Sequence, residues 1–226
     1  IMGNSSSSKQ VRENKLSMAE KTGVLNLANQ KLTLSSSVWN TLNQPSYHNK
    51  LKSLDVSNNP LTELPPCIIL CVQLKSLILT HCNLQRLSTL ESLSKLNTLQ
   101  LDSNSLQSNT IAPLPASLKS LSIMTNRLIE IPQSVLALRQ LTVLNLSHNQ
   151  IVHIIGIEAL DTLLELNLSH NQLHELPETV SALTHLQILL VEFNQIHSKS
   201  PSTNNQSIPA PILLSSRLER LELKGN

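Results

Sequence analysis

Residues 51–61, Leu51-Lys52-Ser53-Leu54-Asp55-Val56-Ser57-Asn58-Asn59-Pro60-Leu61, follow the frame L-x-x-L-x-L-x-x-N-x-L. The frame starts again at Leu74, Leu96, Leu118, Leu141, Leu163 and Leu186, with a degenerate first copy at Thr22 and a truncated last one at Leu218. Successive starts lie 29, 23, 22, 22, 23, 22, 23 and 32 residues apart. Six consecutive intervals of 22 or 23 residues make this a repeat array, and the period decides the fold before any secondary structure is assigned.

Each fixed position has a physical job. The L-x-L alternation is that of a strand with one face buried. Stacking the copies predicts a parallel sheet with strands about 4.8 Å apart. The Asn slot (Asn59, Asn104, Asn126, Asn149, Asn171, Asn194 and Asn226) falls where the chain leaves the strand and its amides lose their sheet partners. A side-chain amide both donates and accepts, so it can bridge neighbouring coils, where an orphaned group would cost ~1–3 kcal/mol. Gln30 and Cys82 occupy that slot in the first and third copies, and Cys82 reads as a structural substitute. Leu64-Pro65, Leu114-Pro115, Ile131-Pro132 and Leu176-Pro177 suit an extended-to-helical transition on the outer side, since Pro fixes φ and has no amide hydrogen. In two copies, Leu84 to Leu96 and Ile151 to Leu163, aliphatics recur every three residues, which fits 3₁₀ or other tight turns.

Composition agrees with such an interior. The 226 residues are 40% apolar and 14% charged but only 1% aromatic, and 47 of them are Leu. A disordered chain would be poorer in aliphatics, and a compact core would use more varied volumes. The net charge is +2, with 17 cationic residues scattered along the chain. No basic stripe is visible in the sequence and no aromatics interleave, so nucleic acid is not expected as a partner. The longest apolar run, Cys67 to Val72, is far short of the ~20 residues of a membrane span. No secretory leader is legible, and three cysteines cannot all pair, so the expectation is an intracellular protein with buried free thiols at Cys67 and Cys71. The sequons at Asn145 and Asn167 are then unused.

Residues 1–20 are expected to be a flexible Ser-rich tail and a short capping segment, helical from about residue 9 with Ser8 as a possible N-cap. Residues 21–226 form the repeat domain, with a Ser/Asn/Pro-rich loop insertion at about 198–211. The chain stops in mid-repeat, so a C-terminal cap is expected beyond it.

Two features carry chemistry. Met2-Gly3-Asn4-Ser5-Ser6-Ser7 matches M-G-x-x-x-[ST], which makes Gly3 a candidate for N-myristoylation if Met2 is the initiator. The inner face of the sheet is the other. Its outward positions are mostly small and polar, the kind of extended platform with which repeat scaffolds bind proteins. Asp55, Ile78, His81, Asp102, Asn145, His148, Asn167, His170, Leu190, Glu192 and Phe193 are the candidate contacts, with Ile78, Leu190 and Phe193 read as exposed apolar anchors. His148 and His170 fall in adjacent copies, but a metal would need further ligands. The sequence contains no nucleotide, hydrolase or zinc-protease motif and only four glycines, so no catalysis, cofactor or small-molecule substrate is expected.

The frame resembles the leucine-rich repeat, which implies a right-handed α/β solenoid, a horseshoe with a parallel concave sheet. Met2-Gly3-Asn4-Ser5 and Lys21-Thr22-Gly23-Val24 together resemble the leucine-rich repeat-containing protein 57 family, which implies lipid-anchored membrane association through Gly3. The three-period copies are also similar to phosphatase-regulatory subunits of the SDS-twenty-two type, which implies docking on a Ser/Thr phosphatase through the concave face.

Overall fold

A computed structural model describes residues 4–196, 208, 209, 212 and 217–226. Among them nine three-residue strands form one parallel sheet in sequence order: β1 (Val24–Asn26), β2 (Ser53–Asp55), β3 (Ser76–Ile78), β4 (Thr98–Gln100), β5 (Ser120–Ser122), β6 (Val143–Asn145), β7 (Glu165–Asn167), β8 (Ile188–Leu190) and β9 (Arg220–Glu222). The second Leu of every frame occupies the centre of its strand, and these residues pair in unbroken register from Leu25 through Leu54, Leu77 and onward to Leu221. A slip of one residue would turn this whole row to solvent, so the aliphatic pattern sets the register.

The outer returns are short. Pro65, Pro132 and Pro177 sit extended at φ near −60° and lead into a 3₁₀ turn (Pro66–Leu70), helix α4 (Gln133–Leu136) and a second 3₁₀ turn (Glu178–Ala182). Of the two three-period copies, one contains a 3₁₀ turn at Ile157–Ala159; the other passes through simple turns. Both bury every third residue: Leu84, Leu90, Leu93, Ile157 and Leu160 are inaccessible to solvent. Burying each such side chain is worth about 1.5–3 kcal/mol, and the repeat gives every coil several. The result is a right-handed leucine-rich-repeat solenoid.

The seam between sheet and returns is closed by asparagine. Asn149 Nδ2 donates to the carbonyls of Ile123 (2.9 Å), Leu146 (3.0 Å) and Ser147 (3.2 Å), while its Oδ1 accepts from Leu128 N (3.0 Å). Asn59, Asn104, Asn126, Asn171 and Asn194 make the same bonds one coil apart. At Cys82 the Sγ donates to Val56 O at 3.3 Å, but a thiol accepts poorly; Leu61 N turns instead to the Cys82 carbonyl at 3.0 Å. Burial pushes the thiols of Cys67 and Cys82 up to about 11 and that of Cys71 to about 12, and all three are free.

Helix α1 spans Asn4–Thr22, so it takes in residues 4–8, where a flexible tail was expected, and Ser8 lies within it rather than at an N-cap. Leu16 and Ala19 are buried against the first coil, and a helix once anchored propagates cheaply. The long first interval holds helices α2 (Val38–Leu42) and α3 (Pro45–His48). They carry two of the three aromatic residues inward: Trp39 Nε1 donates to Thr33 O (2.7 Å) and Tyr47 OH to Leu16 O (3.3 Å). The expected loop at 198–211 lies outside the described residues except for Ile208 and Pro209; Ile212, just after it, is buried in the core. One expectation is overturned: the scattered cations do collect, because Lys52, Lys75 and Lys119 each stand one residue before a strand and stacking lines them up on one rim.

Asn149→Ala is expected to cost on the order of 2–4 kcal/mol, since several buried backbone groups lose their partner at once. Equilibrium unfolding in urea measures it, and a loss below about 1 kcal/mol would mean the seam does not depend on this amide.

Candidate binding surface on the concave sheet

Three outward columns run across the inner face: the first and third residues of each strand and the residue two beyond. A fourth follows them, one place before the Asn slot. Every described residue of this fourth column has a left-handed backbone: Asn29, Asn58, His81, Ser103, Thr125, His148, His170 and Phe193 at φ 52–60°, and Gly225 at 76°. Such a φ is at home in Asn and Gly but unfavourable for Thr and Phe. It turns the chain out of the strand and presents the side chain at the rim.

In this column, three successive rings stack. The centroids of His148 and His170 are 4.0 Å apart at 13°, and those of His170 and Phe193 are 4.4 Å apart at 16°. The last ring lies over Gly225, where a Cβ would fall 2.5 Å from Phe193 Cδ1. Phe193 is 44% exposed, and both histidines are exposed. No hydrogen bond occupies either imidazole among the described residues. Burial against its neighbours, then the charge of His170, hold the His148 pKa below its ordinary value.

Other expected contacts are engaged in the scaffold. Asp55, Asn145 and Asn167 each accept the amide two residues on, at 2.9–3.0 Å, closing an Asx turn at the strand end. Asp102 accepts the Ser122 hydroxyl (2.5 Å) and Met124 N (2.9 Å) of the next coil. Glu192 is half-buried in the eighth coil. Ile78 and Leu190, expected to be exposed, are half-buried, because in-register neighbours about 4.8 Å away cover their flanks. His81 is exposed but stands apart from the stack, three coils from His148, with Ser103 and Thr125 between them in the column.

Among the described residues, no three His, Cys, Asp or Glu side chains come together as a metal site, and no helix is long and apolar enough to cross a membrane. Gly3 lies outside the described residues. A feature the sequence reading missed is a cavity of about 560 Å³ on the outer side of the fifth and sixth coils, lined by Ile129, Ile131, Leu136, Val152, His153 and Ile155. The left-handed column was missed too; Asn29, Asn58 and Gly225, residues that tolerate positive φ at one repeat position, were its signal.

A leucine-rich repeat family model matches residues 50–71, 140–160 and 162–183. No curated protein sequence matches the chain. Among solved structures, the chain is similar to a leucine-rich-repeat protein of Leptospira interrogans, at 27% identity and TM-score 0.73, covering 93% of this chain and 58% of that one. It is similar to a plant peptide hormone receptor, RGFR1, in complex with RGF2, at 26% identity and TM-score 0.59, over 77% and 28% of the two chains. The Drosophila Toll–Spatzle complex matches at 18% identity and TM-score 0.66, over 88% and 31%, a likeness of fold alone. The chain thus spans less than two thirds of the length of each.

Because the His148 pKa is depressed in the folded state, the unfolded chain takes up that proton first and folding weakens as pH falls through about 6.5. NMR titration should find His148 below that value and moving up toward it in His170→Gln; an unmoved pKa would mean the two rings do not interact.

Proposed function

We propose that this protein is a non-catalytic scaffold that binds other proteins through its concave sheet and is held reversibly at a membrane surface by a myristoyl group on Gly3. The observation that carries the binding reading is the exposed His148–His170–Phe193 stack, flanked by half-buried Leu190. Apolar ring surface left in water at the edge of a rigid sheet is the usual material of a protein contact. The plant receptor and Toll, which share this fold, are each seen in complex with a partner. The partner of this chain is a protein; no nucleic acid, cofactor or small-molecule substrate enters the reading.

The anchor rests on Met2-Gly3-Asn4-Ser5 and on the likeness to the leucine-rich repeat-containing protein 57 family. The second segment of that likeness has a physical reason. Gly23 turns α1 into β1 at φ +74°, where a Cβ would lie 2.6 Å from Lys50 O. One myristoyl chain binds membrane only marginally, on the order of 10⁴ M⁻¹, so attachment is reversible and the protein works in the cytoplasm and at its membranes. A second reading, regulation of a Ser/Thr phosphatase as in the SDS-twenty-two type, is favoured by the two coils that bury every third residue, Leu84–Leu96 and Ile151–Leu163.

Two measurements test this. Coexpressed with an N-myristoyltransferase from a start at Met2, the protein should gain the mass of one myristoyl group, lost in Gly3→Ala; an unchanged intact mass rejects the anchor. In affinity capture, Leu190→Asp/Phe193→Asp should reduce bound partners by about tenfold or more. Undiminished capture places the contact elsewhere, and recovery of a Ser/Thr phosphatase in the wild-type capture alone would favour the second reading.

A further inference from the structure

Stacking assembles a charge pattern that the linear sequence hides. Lys52, Lys75, Asn97 and Lys119 are successive rungs of one backbone ladder: Lys75 N donates to Lys52 O (2.7 Å), Asn97 N to Lys75 O (3.0 Å) and Lys119 N to Asn97 O (2.9 Å). Lys50, Lys95 and Arg139 stand on the same rim, just before the Leu that opens their coils, and all six cations are exposed. Lys21 ends α1 beside them. From two residues before the start of each of the first six frames to one residue after it, the single acid is Glu20, which accepts a hydrogen bond from Ser46. Among the described residues, none of the six cations makes an ion pair. Lys95 Nζ donates to the neutral Gln73 Oε1 (2.6 Å), and Arg139 Nη1 to the carbonyl of Ala159.

From the second to the sixth coil the row runs about 19 Å at sheet spacing, the length of about six residues of extended chain. We propose that this rim docks an extended acidic segment of a partner protein, lying across the coils with its carboxylates facing the cations. Charge complementarity and a straight row of matching length favour that occupant. A bilayer fits less well, because α1 runs back along β1. Arg12 Nη2 donates to Gln30 O (3.4 Å), four residues past the far end of that strand, and two further turns carry the Asn4 end about 12 Å beyond Arg12. The Asn4 end of the helix therefore lies toward the opposite rim. Single-stranded nucleic acid fits less well still, since the rim segments offer no aromatic ring for a base to stack on. The proposal deepens the protein-binding reading but uses another surface, so either can fail alone.

The test is fluorescence anisotropy with labelled hexaglutamate at low ionic strength. Wild type should bind, and Lys52→Gln/Lys75→Gln/Lys119→Gln should bind about tenfold more weakly with an unchanged melting curve. Lys31→Gln/Arg127→Gln/Lys224→Gln removes equal charge elsewhere and should bind as wild type, as should Leu190→Asp/Phe193→Asp. Absence of wild-type binding, or equal loss in the two lysine/arginine variants, overturns the proposal. So does a rim variant that keeps hexaglutamate but loses phosphatidylserine vesicles or single-stranded DNA.

Discussion

A chain that winds as a solenoid must leave its strand once per coil, and it does so inside an aliphatic interior where water cannot serve the backbone. The buried asparagine amide meets that constraint here. One Nδ2 reaches carbonyls in two coils, and the Oδ1 receives an amide from the coil before. The bonds join each coil to its neighbour, so no coil is complete alone. This is why stability in such arrays is a nearest-neighbour property. Three-residue strands could not hold a sheet by themselves; the leucine rows and the asparagine seam together fix both its spacing and its curvature.

The same stacking gives the surface its organisation. Any residue type recurring at one repeat position becomes a continuous row at sheet spacing. The left-handed turn before the asparagine is one such row, and the chemistry it displays depends only on what each copy puts there. Early copies place small polar residues or an isolated His81; later ones place His148, His170 and Phe193 in contact. The chain has one residue of each aromatic kind. Tyr47 is buried against the capping helix and Trp39 in the irregular first return, while Phe193 alone of the three reaches the binding side.

Reading columns from the frame located the outward positions but not their availability. Asp55, Asp102, Asn145 and Asn167 do face inward along the curve, yet each accepts a backbone amide that the strand end leaves open. Their identity reflects turn chemistry before it reflects any partner. Ile78 and Leu190 point outward by alternation yet are half-buried, because alternation says which way a side chain points, not how much its neighbours cover. The lysine rim was invisible for a related reason: residues some 22 positions apart in sequence become adjacent only when coils stack in register.

By itself the sequence determined the repeat, the strand centres, the register and the asparagine slot, because burying leucine at a fixed period leaves only one way to stack. It also placed the ring-bearing positions in neighbouring coils. The tertiary structure alone decided that α1 begins at Asn4, that the rings lie face to face, and that dispersed lysines form one edge. Those outcomes rest on the sign of φ at a turn, on lateral crowding and on the direction in which a helix packs. Such quantities belong to contacts between coils, and hydrophobic periodicity within one coil does not encode them.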